Sequence, residues 1–210
     1  MTNDSLPRIE RWLATRAPRI LSESLNPGAA GVRLAALATA VGQPLPEDYK
    51  ALYQWHDGLN AAGNTGSFFY GLHFLTLAEV LADLRSRQRE TTPAPLIEAA
   101  AALRAHNLLH PHWLGLGFDG SHTWLRVDLA PTAAGTYGQV IFVDEECEVA
   151  FVVATSVTDL LATFAQDLER GLYQLHPDAA EDGEEFLEAD ARIDLINWRS
   201  AERWQHAAQN

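Results

Sequence analysis

A single cysteine, Cys147, leaves the 210-residue chain nothing to pair with inside itself. That excludes an internal disulfide framework and a cysteine-rich zinc site, and it fits a reducing compartment. Lysine is as scarce: Lys50 stands alone and the other 14 cations are arginine, the usage of a GC-rich bacterial genome. Long apolar runs are missing. The longest stretch free of Asp, Glu, Lys and Arg, Gly58 to Ala78, contains four glycines, two asparagines and a histidine, and reads as loop plus strand. Residues 1–12 carry charges throughout without an apolar centre, so no secretory signal is visible. The sequence therefore predicts a soluble, cytoplasmic protein without a membrane partner. It also lacks a Gly-x-Ser-x-Gly elbow, a P-loop and a His-Glu-x-x-His pair.

What is abundant is negative charge. Twenty-eight acids against fifteen bases give a net −13. An acidic surface repels phosphate backbones, so nucleic acid is excluded as a direct partner, and a basic protein is favoured. The charge is uneven: residues 172–210 hold nine acids and three arginines, whereas residues 1–43 hold three acids and five arginines. A knot at Asp144-Glu145-Glu146-Cys147-Glu148 places four carboxylates in five residues. At 47% hydrophobic and 20% charged, the rest is ordinary globular composition, long enough to bury a core unaided.

Periodicity predicts a first helix from near Ser5, with Leu6, Ile9, Leu13 and Ala17 as its stripe, and a second from Gly31 to Val41. Pro46 opens a third, in which Tyr49, Leu52, Tyr53 and His56 recur before Gly58 stops it. Thr76-Leu77-Ala78-Glu79 fits a capping box. Beyond residue 110 the period becomes two. Thr123, Leu125, Val127 and Leu129 alternate with Trp124, Arg126 and Asp128 as a half-buried strand, and Val140–Val143 with Val149–Val153 form a hairpin around the acidic knot. Ser156 caps a closing helix that Gly171 ends. Turn formers mark linkers at Asn60 to Ser67, Glu90 to Pro95 and His176 to Gly183. The expected class is α+β, a single mostly antiparallel sheet with helices largely on one face. An appended C-terminal helix is expected within residues 178–206, its stripe Phe186, Ala189, Ile193 and Ile196, docking back on the domain near Arg8, Arg11, Arg16 and Arg19.

Several patterns resemble chemistry without fitting it. Gly115-x-Gly117-x-x-Gly120 has dinucleotide-fingerprint spacing, but it precedes a strand, so no helix N-terminus is there to hold a pyrophosphate. His106, His110 and His112 cluster, but Pro111 ends any helix that would align them and no fourth ligand is near; no metal or cofactor is expected. Cys147 sits among carboxylates that disfavour its thiolate. Asp119 and Asp128 lie across a turn and a strand, suiting turn and edge roles better than paired hydrolysis. Trp55, Trp113 and Trp124 read as core.

The order of segments resembles the SUKH superfamily and, more narrowly, its SMI/KNR family, named for yeast cell-wall regulators. The resemblance rests on Leu45-Pro46-Glu47-Asp48-Tyr49 leading to Trp55-His56-Asp57-Gly58, then Phe69-Tyr70-Gly71 with Leu75 to Val80. It continues through Trp113 to Leu116 with Asp119-Gly120, Trp124 to Pro131, Gly135-x-x-Gly138-Gln139-Val140-Ile141, and the closing helix. Ser121-His122 departs from the family phrase at that point. The resemblance spans residues 28–173, so residues 1–27 read as an N-terminal helix and 174–210 as an acidic linker plus a C-terminal helix. It implies a non-enzymatic α+β domain with no catalytic residues. Its shared positions, Leu45, Pro46, Tyr49, His56, Asp57, Gly58, Asp119, Gly120, Asp128 and Gly138, suit caps, turns and strand ends. In bacteria such domains are read as immunity proteins that neutralise toxins, often nucleases; in fungi they are signalling scaffolds. Charge favours the first, since an acidic inhibitor complements a basic nuclease cleft. The expected partner is thus a basic toxin domain, met by Asp144, Glu145, Glu146, Glu148, Asp119, His122 and Trp124, and the chain is expected as a monomer or weak homodimer. A regulatory scaffold without a toxin is the alternative; a small-ligand cleft near Asp119, His122 and Trp124 is a third reading.

Overall fold

A computed structural model describes residues 4–60 and 67–207. The linker read at Asn60 to Ser67 lies, apart from its two ends, outside the described residues. Helix α1 (Ser5–Arg16) buries Ile9 and Leu13, and a π-helical turn (Ile20–Ser24) leads into strand β1 (Leu25–Pro27). Helices α2 (Gly31–Val41) and α3 (Glu47–Trp55) follow. Pro46 stands at the N-cap of α3, where its missing N–H removes no helical hydrogen bond, and Glu47 and Asp48 face the positive end of the helix dipole.

The stripe of α3 stops short of its predicted end. His56 opens β2 (His56–Leu59), which pairs antiparallel with β1. Cross-strand partners outcompete another half-turn of helix: His56 Nδ1 lies 2.7 Å from the Asn26 carbonyl, and Asn26 Nδ2 donates to the Asp57 carbonyl at 3.1 Å. Gly58 then has φ +69°, and a Cβ there would stand 2.5 Å from the backbone of Leu75 and Thr76. Glycine is required here by conformation and by space together.

The main sheet comprises β3 (His73–Phe74), β4 (Glu98–Ala99), β5 (Trp113–Phe118), β6 (Thr123–Asp128), β7 (Gln139–Asp144) and β8 (Val149–Ala154). Its order is β3-β5-β6-β7-β8-β4, antiparallel except where β4 runs beside β8. Helix α4 (Leu77–Arg87) begins with the anticipated capping box: Thr76 N–H donates to Glu79 Oε2 at 2.7 Å, and Glu79 N–H to Thr76 Oγ1 at 3.2 Å. Helix α5 (Val157–Glu169), capped by Ser156, packs against β7, β8, α1 and α3 and is the centre of the helical layer. The α+β class with one mostly antiparallel main sheet is the observed architecture, and no helix among the described residues is long and apolar enough to cross a membrane.

Two expectations change. Strand β6 is not half-buried: all six of its residues are buried. It lies inside the sheet, and the side bearing Trp124, Arg126 and Asp128 is covered as well as the side bearing Leu125 and Val127. The polar residues on that side mark buried partners rather than solvent: ion pairs at Arg126 and hydrogen bonds from Ala130 and Gln139 at Asp128.

The C-terminal region contains a helix, α6 (Pro177–Glu181), but it is short. The apolar stripe placed within residues 178–206 is spent differently. Leu187–Ala189 forms β10, which pairs antiparallel with β9 (Tyr173–Leu175), and residues beyond 190 make successive turns. Tertiary anchors explain the departure. Leu195 N–H donates to the Tyr70 carbonyl at 2.9 Å, Trp198 Nε1 to Asp144 at 2.9 Å, and Trp204 Nε1 to the Ile193 carbonyl at 2.7 Å. Trp198 packs on Phe142 and Phe151, and Trp204 on Tyr70 and Phe151. The segment does return to the domain. Of the N-terminal arginines, Arg19 meets it, through its N–H to Glu185 at 2.8 Å and its guanidinium to the Gly183 carbonyl, while Arg8 pairs with Glu169 of α5.

Asp167 of α5 holds this return in place. Its side chain is 1% exposed and accepts two bonds from Arg203, at 2.5 and 2.7 Å, and one from Tyr70 Oη at 3.2 Å. Arg203→Ala removes the cation and leaves the carboxylate buried, so it should destabilise the fold by about 3 kcal/mol and lower Tm by roughly 10 °C. Thermal melts of the full chain and the variant check this; a shift below about 2 °C would mean that Tyr70 and water suffice for Asp167.

Candidate protein-docking face

The predicted partner residues come from two neighbouring turns, and the structure treats them unequally. Asp119 closes the β5–β6 turn by accepting the amides of Ser121, His122 and Thr123 at 2.8, 2.9 and 3.0 Å. Burial alone would raise its pKa, but these donors hold it below the usual carboxylate value. Gly120 occupies the left-handed position of that turn, with φ +87°. His122 is half-buried, with Nδ1 3.0 Å from Ser121 Oγ and Nε2 3.5 Å from Glu146.

In the β7–β8 turn Asp144 points inward. It is buried, accepting the Cys147 amide at 2.8 Å and the Trp198 indole at 2.9 Å. Glu145 also turns in, 3.2 Å from Arg126. Glu148 is half-buried at φ +55°, and Glu146 is exposed. Sequence alone could not distinguish one knot carboxylate from another, because the partners of Asp144 and Glu145 come from distant segments. Burial and the nearby Asp144 carboxylate raise the Cys147 pKa, which matches its expected inertness.

Trp124 is corrected likewise. Its ring is buried, stacked on Phe118 at 3.8 Å with the Arg126 guanidinium 3.9 Å from the centroid on it. It shapes the site from beneath. Arg126, absent from the predicted set, has a side chain 1% exposed, bridging Asp83 at 2.8 Å and Glu145. Asp83 also pairs with Arg87 at 2.7 Å, and although burial pushes its pKa up, Arg126 and Arg87 bring it below the ordinary value. A polar residue in mid-strand, opposite an Asp and Arg four apart on α4, was the available signal.

Apart from Asp119 and Gly120, the family-motif residues do not line this face and join elements instead. Asp57 is buried, accepts the Leu77 amide at the start of α4 at 2.8 Å and pairs with Arg33. Tyr49 and Tyr53 are buried and donate to the carbonyls of Gly115 and Leu75 at 3.4 and 3.0 Å. Asp128 accepts from Ala130 N–H and Gln139 Nε2, while Gly138 N–H returns to the Asp128 carbonyl; burial raises the Asp128 pKa. Leu45 is buried and Pro46 half-buried below Gly138.

The β5–β6 turn, through Asp119, borders a groove of about 500 Å³ whose walls include Ser67, His73, Phe118, Phe186, Glu188, Asp194 and Ile196. Phe186 and Ile196 are 37% and 41% exposed, large apolar side chains beside carboxylates. Gly71, φ +92°, lets the C-terminal segment approach: a Cβ there would stand 2.5 Å from Asp194 and 3.2 Å from Ile196. A shallower depression of about 240 Å³ continues past Ile196 to His122 and Arg199. The C-terminal segment thus supplies half of a face that the sequence assigned to the turns alone.

The histidine cluster lies elsewhere. His106, His110 and His112 stack ring to ring at 5.6–5.7 Å, and no three His, Cys, Asp or Glu side chains converge as a metal site among the described residues. His110 Nδ1 accepts the His112 amide at 3.2 Å, which fixes a neutral ring. Burial, then the neighbouring cations, bring its pKa down to about 4.

Fold and site together define an α+β domain whose motif residues are structural and whose open surface is apolar with an acidic rim, a form suited to binding macromolecules. The description of the SMI1 / KNR4 family (SUKH-1) matches residues 28–163, and the chain belongs to that family. Among its relatives are a cell wall biosynthesis and cell cycle regulator of Schizosaccharomyces pombe, 28% identical over 97% of this chain and 41% of that protein. The cell wall assembly regulator SMI1 of Saccharomyces cerevisiae is 25% identical over 70% and 36%. A glucan synthesis regulatory protein of Neurospora crassa is 23% identical over 97% and 46%. The chain therefore spans less than half the length of these relatives. They are fungal regulators, and the expected bacterial immunity role finds no support among them.

Two predictions follow from the turns and the histidines. Asp144→Ala should cost about 2 kcal/mol, since it strands the Trp198 indole, whereas Glu146→Gln should stay within about 0.5 kcal/mol; urea titrations separate the two. Because His110 titrates near 4 when folded and near 6.5 when unfolded, the unfolded chain takes up its proton first as pH falls. Stability is then full above pH 6.5 and declines toward 4. His73, also lowered by burial, adds to this slope. His110→Asn, which keeps an acceptor for the His112 amide, should make the decline between those pH values shallower; an unchanged slope would assign it to other groups.

Proposed function

We propose that this chain is a non-enzymatic, regulatory protein-binding domain that recognises a basic segment of a partner protein through the acidic apolar groove. The observation that carries this is the pairing of exposed Phe186 and Ile196 with Glu188, Asp194 and Asp119 around one concavity, on a chain of net −13. A large apolar side chain of the partner would fill the groove and its Lys or Arg residues would meet the rim, giving affinity from burial and fast association from charge. The regulatory sense is favoured by the roles for which the fungal relatives are named. His122 lines the adjoining depression with Glu146 3.5 Å from it, and we assign both, with Glu148 of the same turn, to the partner surface; Asp144, Glu145 and Trp124 are held inside it.

The toxin-neutralising reading remains the second one, on the strength of the net charge alone. A regulator and an inhibitor would both use a basic partner; protection of cells expressing a basic nuclease domain would distinguish the inhibitor.

Display selection of random dodecapeptides against the full chain tests the groove. Peptides that lose binding to Phe186→Asp and Ile196→Asp should carry Lys or Arg beside a large apolar residue, and their affinity should fall at least tenfold between about 50 and 500 mM salt as screening shortens. If both variants retain the whole selected set, the groove is not the binding site.

A further inference from the structure

Across the β9–β10 pair from the acidic groove, the surface beside α1 has the opposite electrostatic character. Between α1 and β9 lies a cavity of about 610 Å³, floored by Trp12, Leu168, Tyr173 and Leu175 and bordered by Arg16 and Glu169. A second hollow of about 230 Å³ continues it along α1, past Arg8, Arg11 and Thr15. Arg8 is engaged by Glu169, at 2.9 and 2.5 Å. Arg11 and Arg16 are exposed and form no close salt bridge among the described residues, Arg11 acting on Glu169 only at longer range. Two uncommitted cations thus flank a half-buried tryptophan on a strongly acidic chain.

The strand beside them has a free edge. Asp190 N–H donates to the Leu172 carbonyl and His176 N–H to the Phe186 carbonyl, so in the β9–β10 register Leu172, Gln174 and His176 make the ladder bonds. The amides and carbonyls of Tyr173 and Leu175 consequently face away from β10, and among the described residues β9 has no second strand partner. Tyr173, Gln174 and Leu175, three consecutive residues, all line the cavity. A hollow over one face of a strand would be lined by alternate residues, so this one runs along the open edge.

The geometry points to a second docking site, for an acidic, extended peptide segment of a partner protein that adds to the edge of β9. Its main chain would pair with Tyr173 and Leu175, an apolar side chain would enter the cavity against Trp12, and its carboxylates would meet Arg11 and Arg16. A small anion would use the arginines but leave the strand edge and the apolar floor unmatched. This site differs in charge from the acidic groove, which lies across the β9–β10 pair and selects a basic segment.

Fluorescence anisotropy with a labelled nonapeptide alternating Glu with Leu or Val, added to the full chain at low salt, tests it. Saturable binding is expected. It should weaken at least tenfold in the double variant Arg11→Gln, Arg16→Gln, whose side chains are exposed and whose melting temperature should stay within about 2 °C of the parent. The same peptide N-methylated at alternate amides should also bind at least tenfold more weakly, an arm that needs no protein variant. Glutamate in excess should not displace the peptide. Absence of saturable binding, equal binding of the methylated peptide, indifference to the double variant, or displacement by glutamate would each overturn the strand-addition site.

Discussion

A carboxylate with 1% of its side chain exposed needs hydrogen-bond donors to replace its lost hydration, and Asp167 finds its donors far away in the chain. Tyr70 comes from the turn before β3 and Arg203 from near the C-terminus. Meeting both demands brings the C-terminal segment back across the sheet. That return seats Trp198 and Trp204 on Phe151, closes the indole bond to Asp144, and leaves Phe186 and Ile196 at the rim of the groove. One buried charge in α5 therefore conditions the tail, the core beneath it and the surface above it.

The same logic recurs at Arg126. A cation buried in mid-sheet is matched by Asp83 from α4 and Glu145 from the β7–β8 turn, and its guanidinium lies on Trp124. Part of the acidic knot is thereby consumed as internal neutralisation. Formal charge overstates what such a turn presents to solvent: of its four carboxylates, Glu146 is the exposed one. The apolar groove is acidic through contributions from several elements rather than from one tip.

Polarity is also distributed across the molecule in a way composition foreshadows. The arginines of α1 border one cavity and the acids of the C-terminal segment the other. Two surfaces of opposite sign on one small domain would let it join partners of different charge, a fitting property for a regulator that works by binding.

Local signals were legible because local physics decides them. The capping box at Thr76, the Ser156 cap, the period-two runs of β6 to β8 and the turn at Asp119-Gly120 depend on residues within four positions of one another. Each motif segment that marks the family is also local, and the order of the segments is read directly along the chain. The sequence by itself determined the class, the main hairpins and the lack of a disulfide. Only tertiary structure decided which carboxylates are buried, where α3 gives way to β2, and how residues 187–204 are used. An apolar stripe records that a segment must be covered, and helical spacing is one way to satisfy it. Strand pairing with β9 and indole bonds to Asp144 and the Ile193 carbonyl satisfy it better, and they exist only once the sheet and α5 are in place.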